Sequence, residues 1–314
     1  MSLLRGLFAT ALASVHLDMR DCRILLRFLK GGGVTFEEVK TFRCAPNTLP
    51  IEAAYYLSKI RRRHPFTYVA TISNSLHQGA VEGTGGEAGT QRIIIGKKWS
   101  IFISKNAVSD DLDNFYRAPS LDFLYSPFLM LYQSIRSRLD GTKRLYVLLQ
   151  QATVALLIMD SSRLYFSAIQ AIESSTPTAN SPADLESAPD PSAAGDAQNE
   201  EIGQLGDLDN VGEQKDFIEA SEESQDALEN QKRELEDFAR VATATTILKD
   251  SIAEFYNNHS DSDFIAEVIV IDGTSMVQKA AEYLRSNLMI DTQILEVDMC
   301  QLIAEIAQHD LMEV

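Results

Sequence analysis

Residues 268–288 read VIVIDGTSMVQKAAEYLRSNL. Val268 and the three residues after it are apolar and β-branched without a polar break, the composition of a strand covered on both faces. Asp272 and Gly273 then supply a tight turn, and Val277, Ala281, Leu284 and Leu288 recur at helical spacing along one face. A buried strand, a tight turn and a helix form the α/β unit in which many proteins hold a phosphate or an adenine. Asp272 serves such a turn as readily as it serves a ligand, and Thr274 or Ser275 is placed to cap the helix.

Working outward, TQILEV gives a further strand, and Asp298 with Gln301 forms a capping-box-like start to a last helix carrying Met299, Leu302, Ile303 and Ile306. Upstream, helical periodicity returns towards Leu235, is clear at Leu248, Ile252, Phe255 and Tyr256, and ends at Asn257 and Asn258. From Lys143, the runs LYVLLQ, TVALLIMD and LYFSAIQAI read as three strands in a meander. The start of the chain has the same plan: SVHLDM, CRILLRFLK, a glycine turn at residues 31–33, and VTFEEVKTF. Each meander is followed by helical sequence, the order expected of a duplicated α/β domain.

Between these blocks, Pro50 opens a helix, PIEAAYYLSKIRRRH, whose last turn carries Lys59, Arg61, Arg62 and Arg63. Cations at a helix C-terminus suit the macrodipole, and the same cluster is the densest basic patch of the chain, open to an acidic partner segment. FTYVATIS is a strand, and HQGAVEGTGGEAGT is a glycine-rich connection. It lacks the Lys and hydroxyl that a P-loop uses on phosphates and magnesium. RIIIG and the strand WSIFIS follow, then a helix over LDFLYSPFLMLYQSIRSRL that Pro127 starts or kinks.

The 314 residues correspond to roughly two domains by length. A net charge of -17 and a pI near 4.7 disfavour nucleic acid and anionic membrane as non-specific partners. Residues 174–230 hold fifteen Asp or Glu against Lys215 alone, so the rest of the chain is almost neutral. Residues 174–216, rich in Ser, Pro, Ala and acids, offer too little apolar surface to offset ordering entropy, and are expected to be a disordered linker. Cys22, Cys44 and Cys300 are far apart in sequence and fit neither a disulfide framework nor a zinc site, which points to a reducing compartment. The longest apolar run is broken by Gln150 and Gln151 and is too short for a membrane span. MSLLRGLFATALA has some features of a signal peptide, but Leu3, Leu4, Leu7, Phe8 and Ala11 also share one face of a short helix that packs on its own domain or docks on a partner. The five histidines show no metal spacing, and no serine lies in a nucleophile elbow.

The stretch from LKDSIAEFYNNHSDSDFIAE through VIVIDGTSMVQKAAEYLRSNLMIDTQILEV resembles the end of the PilM family, cytoplasmic actin-like proteins of type IV pilus assembly related to the GspL cytoplasmic domain. The resemblance implies an α/β, actin-like fold of duplicated ribonuclease-H-like halves, residues 1–140 and 141–314, with the acidic segment inserted in the second. It places the two meanders where that fold has its phosphate-binding hairpins, which carry an Asp-apolar-Gly pattern. Here Asp18 matches the first acid but Arg20 stands at its glycine, Leu149 stands at the second acid and Gln151 at its glycine. The adenine-side turn keeps Gly273 alone of its usual glycines.

The expectation is a vestigial nucleotide cleft built from Asp18, Arg20, Gln151 and Gly273, with no catalytic residue, no metal and no bound cofactor, ATP with magnesium being the alternative. By resemblance, the chain is a non-catalytic scaffold at the inner face of a bacterial envelope machine (pilus, secretion, DNA-uptake or flagellar). It binds the cytoplasmic N-terminal segment of a PilN-like single-pass inner-membrane protein, and possible further contacts are other machine subunits or a ring of its own copies. Alternatives are an actin-like ATPase with substituted site residues and a polymerising actin-like protein.

Overall fold

A computed structural model describes residues 10–85, 88–96, 98–115, 120–172, 214–259 and 263–313, with backbone alone for 214–230, 233 and 313. The chain divides into a body, residues 1–173 with 237–314, and a unit of residues 174–236. In the latter, the described part is the first portion of a long helix.

The body opens with a meander of β1 (Thr10–Leu17), β2 (Asp21–Lys30) and β3 (Gly33–Arg43). The turn between β2 and β3 places Gly31 and Gly32 at φ of 60° and 82°, the left-handed region that glycine enters without steric cost. Helix α1 (Ile51–Arg63) then buries Ala53, Ala54 and Leu57 and returns the chain to β4 (Thr67–Ile72), which runs parallel to β1. The short β8 (Phe123–Tyr125) adds in parallel beside β4, giving the order β3-β2-β1-β4-β8.

The second half repeats this plan. A meander of β9 (Arg144–Leu149), β10 (Thr153–Met159) and β11 (Leu164–Ala171) is followed by β12 (Val268–Asp272), parallel to β9, and β13 (Thr292–Glu296), parallel to β12. The order is β11-β10-β9-β12-β13. Two sheets with the same sequence of antiparallel and parallel neighbours make this the actin-like fold of duplicated ribonuclease-H-like halves.

Between β4 and β8 the first half inserts a small sheet of β5 (Gln78–Glu82), β6 (Thr90–Ile95) and β7 (Trp99–Ser104), ordered β5-β7-β6. It is followed by α2 (Lys105–Asn114), whose N-cap Ser104 accepts from the Ala107 N–H at 3.1 Å. The remaining helices are α3 (Pro127–Ile135), α4 (Gln214–Asn258), α5 (Gln278–Leu288) and α6 (Met299–Glu313), with a 3-10 turn at Arg136–Arg138. Two helices cross between the halves: α3 packs on β9 and β10, and α6 packs on β1, β2 and β4. One core therefore contains Leu12, Leu25 and Ile72 of the first sheet, Leu148, Leu157 and Ile271 of the second, and Phe128, Met130, Ile303 and Ala307 of the crossing helices.

Four local expectations need correction. β1 begins at Thr10, so Ala11 is a buried strand residue and no part of a helix face; residues 1–9 lie outside the described residues. The glycine-rich connection contains β5, where the Phe102 ring lies opposite Gly79 and would stand 2.8 Å from a Cβ there, so the glycine is demanded by cross-strand packing. The helix expected over residues 121–139 starts at Pro127, because proline forces extended backbone on its predecessor and suits the first helical turn; β8 occupies the extended part. Finally, α4 begins at Gln214, so the last three residues of the expected linker are helical, while residues 174–213 lie outside the described residues.

Candidate functional site

The β1–β2 and β9–β10 hairpins carry the residues singled out in the sequence. In the first, the Asp18 N–H donates to Asp21 O at 2.9 Å, and the Asp18 carboxylate accepts the Met19 N–H at 2.6 Å. Burial raises the Asp18 pKa, opposed by that hydrogen bond and by the positive charges of Arg240 and Arg20. Arg20 is exposed in the turn, its carbonyl accepting from Cys44 N–H at 2.7 Å.

In the second hairpin, Leu149 is 1% exposed and packs with Val154, Val270, Val241 and Phe255, so the position of the second acid belongs to the core. Gln150 is also buried; its Oε1 accepts from the Thr153 hydroxyl at 3.1 Å and its Nε2 has no protein partner. Gln151 Oε1 accepts a short hydrogen bond from Arg240 of α4. Arg240 in turn pairs with Asp237 at 2.7 Å, one turn back on the same helix, and leaves its buried Nε without a partner. Its guanidinium thus binds the second hairpin and acts electrostatically on Asp18 of the first.

The structure brings Asp18, Arg20 and Gln151 into one neighbourhood and adds Arg240, which no sequence motif marks. In FARVATATT an arginine on a helix reads as one of many solvated charges, and only the fold sets it beside a hairpin ninety residues earlier in the chain.

Gly273 belongs to the same end of the second sheet. Its N–H donates to Leu149 O at 2.9 Å, and a Cβ there would lie 2.8 Å from Met299 Cγ and Sδ and 3.2 Å from Leu149 O. Close packing of α6 against the turn accounts for this glycine without a ligand. Asp272 is 2% exposed, and its carboxylate accepts the Thr274 N–H at 2.8 Å, the Thr274 hydroxyl at 2.6 Å and the Met276 N–H at 2.8 Å. Both of its oxygens thus serve the turn. The helix starts after Val277 with no side-chain cap, which corrects the capping role expected of Thr274 or Ser275; Ser275 instead sits in the turn at a φ of 54°.

Arg61, Arg62 and Arg63 lie on the last turn of α1 and Lys59 just before it, at the end of the sheet opposite the hairpins, roughly 25 Å away for a strand of β1's length. Arg61 donates to the Ser120 hydroxyl at 2.9 Å, and Lys59, Arg62 and Arg63 are exposed. They form a surface distinct from the cleft.

Beside the first hairpin, His16 is buried and its pKa falls to about 4, first through burial and then through Arg23. Burial alone would raise the Asp298 pKa, but the Gln301 N–H and Arg23, at 2.7 Å, hold it below the usual carboxylate value. Cys22, Cys44 and Cys300 are free thiols, and the fold places Cys22 within electrostatic reach of the other two. Among the described residues, no group of His, Cys, Asp and Glu is placed to hold a metal ion, and no helix is long and apolar enough to cross a membrane.

A family model described as Domain of unknown function (DUF8341) matches residues 145–312, and one described as Domain of unknown function (DUF8569) matches residues 8–132. No curated protein matches the chain. A PilM-PilN type IV pilus biogenesis complex is similar at 10% identity and a TM-score of 0.47, over 93% of this chain and 89% of that one. A protein of unknown function with an actin-like ATPase fold from Bacteroides thetaiotaomicron VPI-5482 matches at 9% identity and a TM-score of 0.44, over 97% and 98%. The ethanolamine utilization protein EutJ from Carboxydothermus hydrogenoformans matches at 10% and 0.41, over 93% and 86%. The fold assignment rests on strand order and direction, and these likenesses extend to no activity.

Proposed function

We propose, for a chain that belongs to the family described as Domain of unknown function (DUF8341), a role as a non-catalytic actin-like scaffold whose work is to hold a protein partner. By the sequence resemblance to PilM proteins, the partner is the cytoplasmic N-terminal segment of a PilN-like inner-membrane protein. The chain would then sit at the inner membrane through that partner.

The observation that carries the non-catalytic reading is the second hairpin. Where nucleotide hydrolysis needs a carboxylate to manage magnesium or its water, Leu149 is part of the core, and the neighbouring Gln151 is bound to a guanidinium. Arg240 supplies a fixed positive charge beside Asp18, the one acid of the pair that remains.

A second reading draws on the same residues. Arg240 Nε and Gln150 Nε2 are buried donors without a protein partner, and donors of that kind suit a phosphate. On that reading the chain binds nucleotide through substituted residues.

Calorimetric titration with ATP and magnesium, beside titration with the N-terminal peptide of a PilN-like protein encoded nearby, separates the two. The scaffold reading expects heat from the peptide and none from nucleotide; nucleotide binding with release of phosphate would overturn it.

A further inference from the structure

Strand β3 runs for 11 residues along one side of the first sheet, and among the described residues no strand pairs with its outer edge. A free edge of that length is a template for a further strand. The ladder between β2 and β3 fixes which groups it offers. Cys44 N–H donates to Arg20 O at 2.7 Å, and the register that sets Arg43 across from Asp21 sets Cys44 across from Arg20. Phe36, Glu38, Lys40 and Phe42 therefore bond to β2, and the alternation of an antiparallel ladder turns the N–H and C=O of Glu37, Val39, Thr41 and Arg43 outward. The bulge between Phe28 and Leu29 disturbs the ladder only at its turn end.

The side chains of the strand are as open as its edge. Phe36, Glu38, Lys40 and Phe42 share the face of α1, where the Tyr56 hydroxyl donates to Glu38 at 3.0 Å and the Lys40 ammonium stands 4.4 Å from the centre of the Tyr56 ring. Glu38 and Lys40 also pair with each other at 3.3 Å. Glu37, paired with Arg27, and Val39 share the opposite face, where α6 packs on β1, β2 and β4. Val39 is 53% exposed and Phe36 is 52% exposed. Large apolar side chains on an unpaired edge are what a solitary sheet avoids.

We propose that β3 pairs antiparallel with β3 of a second copy of this chain, about a two-fold axis at Val39, so that the two first sheets join into one. The strand's own charge pattern identifies this occupant. A two-fold axis normal to the sheet keeps each residue on its own face, so opposed residues have numbers with an even sum and one residue faces itself on the axis. Centring on Glu37 or Glu38 opposes two acids, and centring on Lys40 opposes two lysines. From Phe36 or Thr41 outward, neither acid has a base across from it. Centring on Val39 sets Glu38 against Lys40 twice and Phe36 against Phe42 twice. These fall in non-hydrogen-bonded pairs, where side chains approach most closely, while Val39 with itself and Glu37 with Thr41 exchange the outward backbone bonds. Together with the existing Glu38–Lys40 pairs, the four charges alternate in sign around a square. A two-fold contact uses the same patch on both copies and closes at two, so it builds neither a ring nor a filament. The inference goes beyond the scaffold reading and stands apart from it.

Sedimentation velocity of the full chain over rising concentration tests this, and a monomer in exchange with a dimer and with nothing larger is expected. Glu38→Lys and Lys40→Glu each turn both cross-strand ion pairs into like-charge pairs, and each should weaken dimerisation about tenfold or more. An equimolar mixture of the two variants should recover it, because each then meets the opposite charges in the other; a merely structural role of either side chain would give no such rescue. Should either variant fail to fold, judged by its melting transition, Val39→Arg takes its place, setting two cations face to face on the axis at an exposed position, and should weaken dimerisation likewise. Monomer at the highest soluble concentration, assembly beyond two copies, a dimer indifferent to these substitutions, or no recovery in the mixture would each overturn the proposal. If the dimer behaves as expected and the PilN-like peptide gives no heat, this contact stands and the scaffold reading fails.

Discussion

At the residue scale, Arg240 and Gly273 divide what a sequence can say about a cleft. Gly273 was visible as a turn glycine, yet the cause of its presence, α6 packed onto the turn through Met299, lies in a contact between separate elements. Gly273→Ala is expected to destabilise by about 1–3 kcal/mol, since backbone at Leu149 cannot yield as a side chain can; chemical denaturation measures this, and an unchanged midpoint would show that the turn has room. Arg240 was invisible because arginine in a helix is common and its partners, Gln151 and Asp237, have no spacing signature. Arg240→Ala should cost about 1–3 kcal/mol by leaving Gln151 and Asp237 without their shared donor, and Arg240→Lys should recover little, because one ammonium cannot reproduce the planar fork. His16 gives a pH dependence. Its imidazole has a pKa of about 4 when folded and 6.5 as the reference value, so between those values the unfolded chain binds a proton that the folded chain does not. Stability therefore falls as pH drops from 6.5 towards 4 and levels off below, by about 3 kcal/mol in total. His16→Phe should flatten that slope in acid melting curves; an unaltered slope would assign it to other groups.

At the element scale, strands with continuous apolar sequence were legible, and elements whose stability comes from neighbours were not. β9, β10 and β12 are buried on both faces and read plainly as VLL, ALLI and VIVI. β5 contains a glycine under an aromatic ring, and α2 buries Ala107 alone, so neither has the periodicity on which a reading depends. Capping was legible where the acid adjoins the helix. Asp298 Oδ1 accepts the Gln301 N–H at 3.1 Å and Oδ2 accepts from Arg23 at 2.7 Å, as the sequence at the start of α6 implied for the cap. The partner side chains are 41% and 43% exposed, so the ion pair adds little beyond the cap in water. Asp298→Ala should therefore cost about 1 kcal/mol, and Asp298→Asn, which keeps the cap and loses the charge, should cost less. Equal losses from the two would mean that the charge on Arg23 dominates.

At the scale of the body, the duplication was legible as order, while the exchange of helices between halves was not. Nothing in PFLMLYQSI says that it packs on β9 and β10, nor does the α6 sequence name β1 as its support, because both read simply as apolar helices. The exchange has a thermodynamic consequence. Each half's sheet is covered by a helix belonging in sequence to the other, and the shared core runs from Leu12 to Ala307, so neither half has a complete apolar surface of its own to bury. The two halves should then unfold together. Ile303, fully buried on α6 against the first sheet, tests this: Ile303→Ala is expected to cost about 2–5 kcal/mol. Trp99, the single tryptophan, reports on the first half by fluorescence, and amide exchange in β12 reports on the second. Both probes should shift by the same amount in the variant. A shift at Trp99 with β12 protected as before would mean that the second half holds its structure alone, and that the crossing helices join two bodies without making them one.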